Sequence, residues 1–173
     1  MDLFEYQGKS LYQKFNINHP NSKLIKNLND LNDPINLNFP VVVKAQVQVG
    51  GRGKAGGIKV AKDINELTQY SEEILGMDIK GHKVEILLLE EASNILEEYY
   101  ISFTLDRSEK KYLIMLSAKG GMDIEQVAEE NPDDLVKFHV SPSEKLTSST
   151  ISELINKANL NKDHEESLSE IIE

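Results

Sequence analysis

Leu3, Phe4, Leu11, Tyr12 and Phe15 recur at helical intervals behind Asp2-x-x-Glu5, which has the spacing of a capping box, so the chain is expected to open with a helix. Residues 16–38 lose that rhythm. They are rich in asparagine and carry prolines at 20 and 34, which predicts a loop containing a short strand near residues 22–25 and one weak helical turn. Residues 39–47 are β-branched and mostly apolar, as a strand should be, and residues 58–61 alternate as a second strand. Asp63-x-x-Glu66 is another capping box; it opens a helix with Ile64, Leu67, Ile74 and Leu75 on one face, and Gly76 is placed to stop it.

The near-continuous apolar run at 84–90 predicts a buried strand. Residues 98–106 and 111–118 read as a hairpin around the polar turn 107–110. Asp123-x-x-Gln126 starts a short helix that Asn131 and Pro132 end. A further strand is expected at 136–140. Helices follow at 150–158, from the spacing of Ile151, Leu154 and Ile155, and at 163–173, from Leu168, Ile171 and Ile172.

At 173 residues and 39% apolar, the chain suits one domain, or one with an appended piece, and can bury a core without covalent staples. It has no cysteine, which excludes disulfides and thiolate metal sites and fits a reducing compartment. Met1 leads into Asp2 and Glu5 with no basic or apolar leader, and no apolar run approaches the roughly 20 residues that span a bilayer. A cytoplasmic protein without a membrane segment is the expectation. The net charge of −10 argues against nucleic acid as a general partner.

One stretch inverts that charge. Residues 41–62 hold Lys44, Arg52, Lys54, Lys59 and Lys62 and no acid, and residues 50–57 hold five of the ten glycines. Without a Cβ, successive backbone N–H groups can converge on an anion, and a basic, glycine-lined loop has the chemistry a triphosphate needs. The same composition also suits a surface hairpin with solubilising charges. There is no GxxxxGK[ST], which excludes a P-loop. Gly51-Arg52-Gly53-Lys54-Ala55-Gly56 matches G-x-G-x-x-G, but the dinucleotide version joins a strand to a helix, and here a strand follows. A kinase-type lid is excluded by the absence of HRD and DFG sequences.

Four ordered blocks then carry a resemblance. Leu3, Glu5, Tyr6, Gln7, Lys9 and Leu11 form an L-x-E-Y-Q-x-K-x-L opening. Val43-Lys44-Ala45-Gln46-Val47 continues through Gly50-Gly51-Arg52-Gly53-Lys54-Ala55-Gly56-Gly57. Glu90, Ser93, Ile95, Glu98 and Tyr100 precede Asp106-Arg107-Ser108, and Gly120-Gly121-Met122 precedes Glu129-Glu130 and Pro132. Together they resemble the β-subunit family of ADP-forming succinate–CoA ligases, which are ATP-grasp enzymes. The resemblance implies an α+β fold: an incomplete ATP-grasp with mixed sheets, a Gly-rich strand–loop–strand lid and flanking helices. Residues 1–173 would be the N-terminal part of the nucleotide-binding domain, with the rest of the grasp and a CoA-ligase domain absent.

The same resemblance implies roles. Lys44 would contact ATP phosphates, Gly51, Arg52 and Gly53 would form the lid backbone, Glu90 and Ser93 would sit beside the adenine, and Glu98 would accept hydrogen bonds from ribose hydroxyls. On the residues alone, Lys44 also suits a solvated edge strand, Glu90 a strand end and Glu98 an ordinary surface acid. The nucleotide would be ATP or GTP, with Pro20 resembling the ATP-using forms. Mg²⁺ would be held by ligands beyond Glu173. The family's phosphohistidine and CoA site belong to a partner α subunit, so no catalytic or metal-binding residue is expected here, and His19, His82, His139 and His164 are read as surface or structural groups. A related ATP-grasp acid–CoA ligase and a non-catalytic assembly module derived from a β subunit are the alternative functions. Glu91 and Lys119 depart from the family pattern, where alanine and glutamate are usual.

Overall fold

The structure is a computed structural model that describes residues 3–122 and 124–173. The chain divides into two compact units, Met1–Asn94 and Ile95–Glu173.

The first unit runs α1 (Glu5–Lys14), β1 (Ser22–Ile25), a 3₁₀ turn (Leu28–Asn32), β2 (Val41–Ala45), β3 (Ile58–Ala61), α2 (Ile64–Ile74), β4 (Asp78–Ile79), β5 (His82–Lys83) and β6 (Leu87–Glu91). Its main sheet has the order β1-β6-β2-β3, antiparallel at each pairing. Alternation along β2 turns Val41, Val43 and Ala45 into a core shared with Leu87 and Leu89 of β6, Ile25 of β1, and Leu67 and Ile74 of α2. Each fully buried Leu or Ile stabilises by about 1.5–3 kcal/mol. The intervening residues, Val42 and Lys44 on β2 and Leu88 and Glu90 on β6, point to the opposite face.

The second unit contains β7 (Tyr100–Asp106), β8 (Lys111–Ser117), α3 (Ile124–Glu130), a 3₁₀ turn (Pro132–Asp134), β9 (Val136–Val140), α4 (Ser148–Lys157), a 3₁₀ turn (Lys162–His164) and α5 (Glu165–Ile172). Its antiparallel sheet, β7-β8-β9, packs Ile114, Leu116 and Val140 against Ile151, Leu154 and Ile155 of α4 and Leu168 and Ile172 of α5. The sheets expected to be mixed in direction are antiparallel at every described pairing.

The expected strands at 22–25, 58–61 and 136–140 have the observed bounds. Asp63 caps α2, accepting from the N–H groups of Asn65 and Glu66, while Glu66 reaches back to the Lys62 N–H. Other details differ. Asp2 and Asp123 lie outside the described residues, and the α1 cap is Phe4, whose N–H donates to Gln7 Oε1. No residue of α1 is buried, and Leu11, Tyr12 and Phe15 are exposed. Ile64 is exposed too, and the buried face of α2 is formed by Leu67, Ser71 and Ile74. The run expected as one strand from 84 begins its ladder only at Leu87. Val84 instead closes a hairpin, β4–β5, whose turn residues Lys80 and Gly81 both have positive φ.

Glu91 ties the asparagine-rich segment to the sheet. Its Oε1 accepts from the backbone N–H and Nδ2 of Asn38, each at 2.8 Å, and its Oε2 from Asn21 Nδ2 at 2.9 Å. The backbone bond from Asn38 is the main reason that its carboxyl titrates below the ordinary range.

Candidate functional site

Lys44 lies on β2, a strand bonded on both sides, and not on a sheet edge. In the ladder Val42 faces Glu90, so Lys44 and Glu90 are diagonal neighbours on one face, within reach of a long side chain. Lys44 Nζ is 2.5 Å from Glu90 Oε1 and 3.2 Å from Glu5 Oε1. Glu90 is buried, and its Oε2 pairs with Lys9. Glu5 and Lys9 stand one helical turn apart on α1, so both face the sheet. Arg52, carried by the glycine loop, places Nη1 2.9 Å from Glu5 Oε2 and donates also to the Ala45 carbonyl.

Three cations and two carboxylates thus share one half-buried cluster, with one more positive charge than negative. Gln46, 2% exposed, fixes the helix to it: its Oε1 accepts from the Tyr6 N–H, and its Nε2 reaches Glu5 Oε2 at 3.4 Å. Burial by itself raises the Glu5 carboxyl, but Lys44 and Arg52 outweigh it and hold the group below its ordinary value. Burial, reinforced by the Lys44 charge, lowers the Lys9 ammonium.

The loop that bears Arg52 closes on itself through Gly57 N–H to Arg52 O (2.8 Å), Gly56 N–H to Gly53 O and Ala55 N–H to Gly51 O. Gly51 has φ +82°. A Cβ at Gly57 would lie 2.7 Å from Ile79 Cδ1 and 3.1 Å from the Ala45 Cβ, so any side chain there would force its neighbours to shift where the loop enters β3.

Of the seven residues expected at the site, Lys44, Arg52 and Glu90 come together in the first unit, and Gly51 and Gly53 flank Arg52. Ser93 is exposed, just past β6. Glu98 belongs to the second unit. There the Gly120 N–H donates to its carbonyl at 3.0 Å, and the glycine pair lies against it so closely that a Cβ on Gly121 would be 2.5 Å from Glu98 Oε2. Glu98 also lines a polar cavity of about 310 Å³ with Glu97, Tyr99, Asn159 and Asn161. Sequence reading missed Glu5, Lys9 and Gln46 as site neighbours, although the i, i+4 spacing of Glu5 and Lys9 signals a shared face.

Among the described residues no three His, Cys, Asp or Glu side chains group as a metal site, and both carboxylates beside Lys44 face cations. These residues do not fit Mg²⁺. Among the described residues, no helix is long and apolar enough to cross a membrane.

The sequence profile of the ATP-grasp domain matches residues 2–173. The chain belongs to the ATP-grasp family. It is 45% identical over 144 residues to the succinate–CoA ligase [ADP-forming] subunit beta of Halorubrum lacusprofundi, a match covering 83% of this chain and 38% of that protein. To the subunit of the same name from Methanocaldococcus jannaschii it is 48% identical over 140 residues, covering 81% and 38%. The chain therefore spans 38% of the length of these curated relatives. Among solved structures, the dinucleotide forming acetyl-coenzyme A synthetase 1 of Ca. Korarchaeum cryptofilum superposes with a TM-score of 0.71 at 23% identity, over 89% of this chain and 65% of that one. The ATP citrate lyase of Methanothrix soehngenii gives 0.60 at 20%, over 91% and 42%. At these identities the likeness is one of fold. This ATP-grasp fold is the one implied by the glycine lid between β2 and β3.

Proposed function

We propose that residues 1–173 are the N-terminal, nucleotide-binding part of an ATP-grasp domain in a succinate–CoA ligase β subunit. The complete αβ enzyme would convert ATP, succinate and CoA to ADP, phosphate and succinyl-CoA, a step of the tricarboxylic acid cycle in the cytoplasm. The observation that carries this reading is the 45–48% identity to archaeal β subunits over more than four-fifths of the chain. The cluster around Lys44 supports it chemically. Two cations on different supports, a central strand and a glycine loop, suit a ligand with several charged oxygens.

In this reading Lys44 and Arg52 neutralise phosphate oxygens, Gly51 and Gly53 let the lid backbone approach them, Glu90 and Ser93 border the base, and Glu98 accepts from ribose hydroxyls. Mg²⁺ and the rest of the grasp come from outside these residues, and the α subunit supplies the phosphohistidine and binds CoA. ATP is favoured over GTP by the ADP-forming relatives. The chain on its own then binds nucleotide weakly and forms no succinyl-CoA. Titration calorimetry with ADP should give weak binding that Lys44→Ala abolishes; no binding at millimolar ADP, or binding indifferent to Lys44, rejects the nucleotide role. Succinyl-CoA formation by this chain with purified α subunit would refute the expected inactivity.

A further inference from the structure

Glu5 spreads its two oxygens over the two cations just assigned to phosphate: Oε1 to Lys44 at 3.2 Å and Oε2 to Arg52 at 2.9 Å. A carboxylate bridging two cations presents them with the charge and oxygen spacing of one edge of a phosphate group. It comes from α1, outside the sheet and loop that carry the cations. It also has a second cation within reach, since Lys9, four residues along the same helix and already paired with Glu90 Oε2, lies 3.7 Å from Oε1 and has further N–H donors to offer. Lys44 differs in this respect, because its other partner, Glu90, is buried beside it.

We infer that Glu5 is a specificity residue of the phosphate site: a resident anion that a polyphosphate displaces and a single phosphate does not. The inference rests on the reading of Lys44 and Arg52 as phosphate-binding cations, though not on any role for the adenosine. An intramolecular carboxylate competes at high effective concentration. A ligand from solution must therefore bring more charged oxygens than the pair it replaces, reaching beyond the two contacts that Glu5 makes. Tripolyphosphate, or the chain of a nucleoside di- or triphosphate, does so. Orthophosphate offers the two cations an edge no wider than the one Glu5 already presents, so it competes from solution for the same contacts and leaves Glu5 in place. On displacement Glu5 turns to Lys9, so its charge stays paired and Arg52 is freed from α1.

The test uses the whole chain at low salt, with tripolyphosphate and orthophosphate as probes in calorimetry. The wild type should prefer tripolyphosphate by about tenfold or more. Both Glu5→Gln and Glu5→Asp should bind orthophosphate about tenfold better than wild type, narrowing the preference. Aspartate keeps the charge but is one methylene too short to span Lys44 and Arg52, so a purely bulk effect of charge would move the glutamine variant alone. Glu72→Gln, on the exposed face of α2, should change nothing. Unchanged orthophosphate binding in either Glu5 variant overturns the proposal. The wild type gives a reading that needs no variant: the ¹³C resonance of the Glu5 carboxyl should shift on adding tripolyphosphate and stay put with orthophosphate, and a resonance unmoved by tripolyphosphate overturns it. ADP titrated in parallel separates the two readings. ADP binding with the Glu5 resonance unmoved sinks this proposal alone, while displacement by tripolyphosphate with no ADP binding sinks the nucleotide reading alone.

Discussion

Lys44 Nζ and Glu90 Oε1 lie 2.5 Å apart across neighbouring strands, on the face of the sheet that the core does not use. Neither side chain keeps enough water to stand alone. Lys44→Met should therefore lower stability by about 1–3 kcal/mol, the cost of leaving a buried charge with fewer partners. The double variant Lys44→Met, Glu90→Leu should recover part of that loss, because the buried carboxylate left with Lys9 alone is gone, while Lys9 keeps Glu5 as its partner. Urea unfolding of the wild type, Lys44→Met, Glu90→Leu and the double variant at neutral pH measures the coupling.

Gly57 and Gly56 should respond differently to alanine. At 57 the added methyl meets Ile79 and the Ala45 Cβ, and overpacking of this kind costs about 1–3 kcal/mol. At 56 nothing lies within 4 Å, and only the positive φ of +80° is penalised, by about 1–2 kcal/mol. Melting temperatures of the two variants should rank Gly57→Ala below Gly56→Ala.

Glu98→Gln should weaken ADP binding about five- to tenfold while leaving the affinity for 2′,3′-dideoxy-ADP unchanged. Calorimetry with the two nucleotides makes the comparison. Equal losses for both would place Glu98 away from the ribose.

Asp106 should shape the acid limb of the stability curve. Bonds from the Ser108 hydroxyl, from the His139 ring at 2.9 Å and from the Glu109 N–H hold its carboxyl well below the ordinary 3.8. A folded-state value below the unfolded one means stability that is fully present above the unfolded value and is lost as pH falls toward the folded one. Asp106→Asn should flatten the decline in melting temperature below about pH 4 and leave the slope above pH 5 unchanged.

Glu91→Ala, which installs the residue usual in the family, should loosen residues 21 and 38 without touching the core. Amide exchange at Asn38 should accelerate, because its N–H loses the Glu91 carboxylate.

How much of this could be read beforehand depended on distance along the chain. The strand at 58–61 and the cap at Asp63 are local, written in alternation and in one side chain's reach, and both were legible. So was the glycine lid, since its composition inverts the charge of the whole chain. The β4–β5 hairpin was hidden because its turn is Lys80-Gly81, where a non-glycine takes positive φ, and because its strands are two residues long. The largest gap concerned α1. Its apolar spacing predicts a helix but not what anchors it, which is Glu5, Lys9 and the Tyr6 N–H to Gln46. Those partners lie about 40 residues or more away, where no local pattern points to them. Ser93 and Glu98 were singled out by motif alone, and their neighbours became visible only in the fold.

Lys44 and Arg52 differ in what anchors them, and this sets a contrast in time. The backbone of β2 is laddered to β3 on one side and β6 on the other, so amide protons around Lys44 should exchange with solvent only when the whole first unit opens. Arg52 rides on a loop held by a few turn bonds, and protons there should exchange by small local fluctuations. If the two cations take an anion, as proposed, it would meet one charge on a fixed strand and another on a looser loop, and the strand would capture first, the loop second.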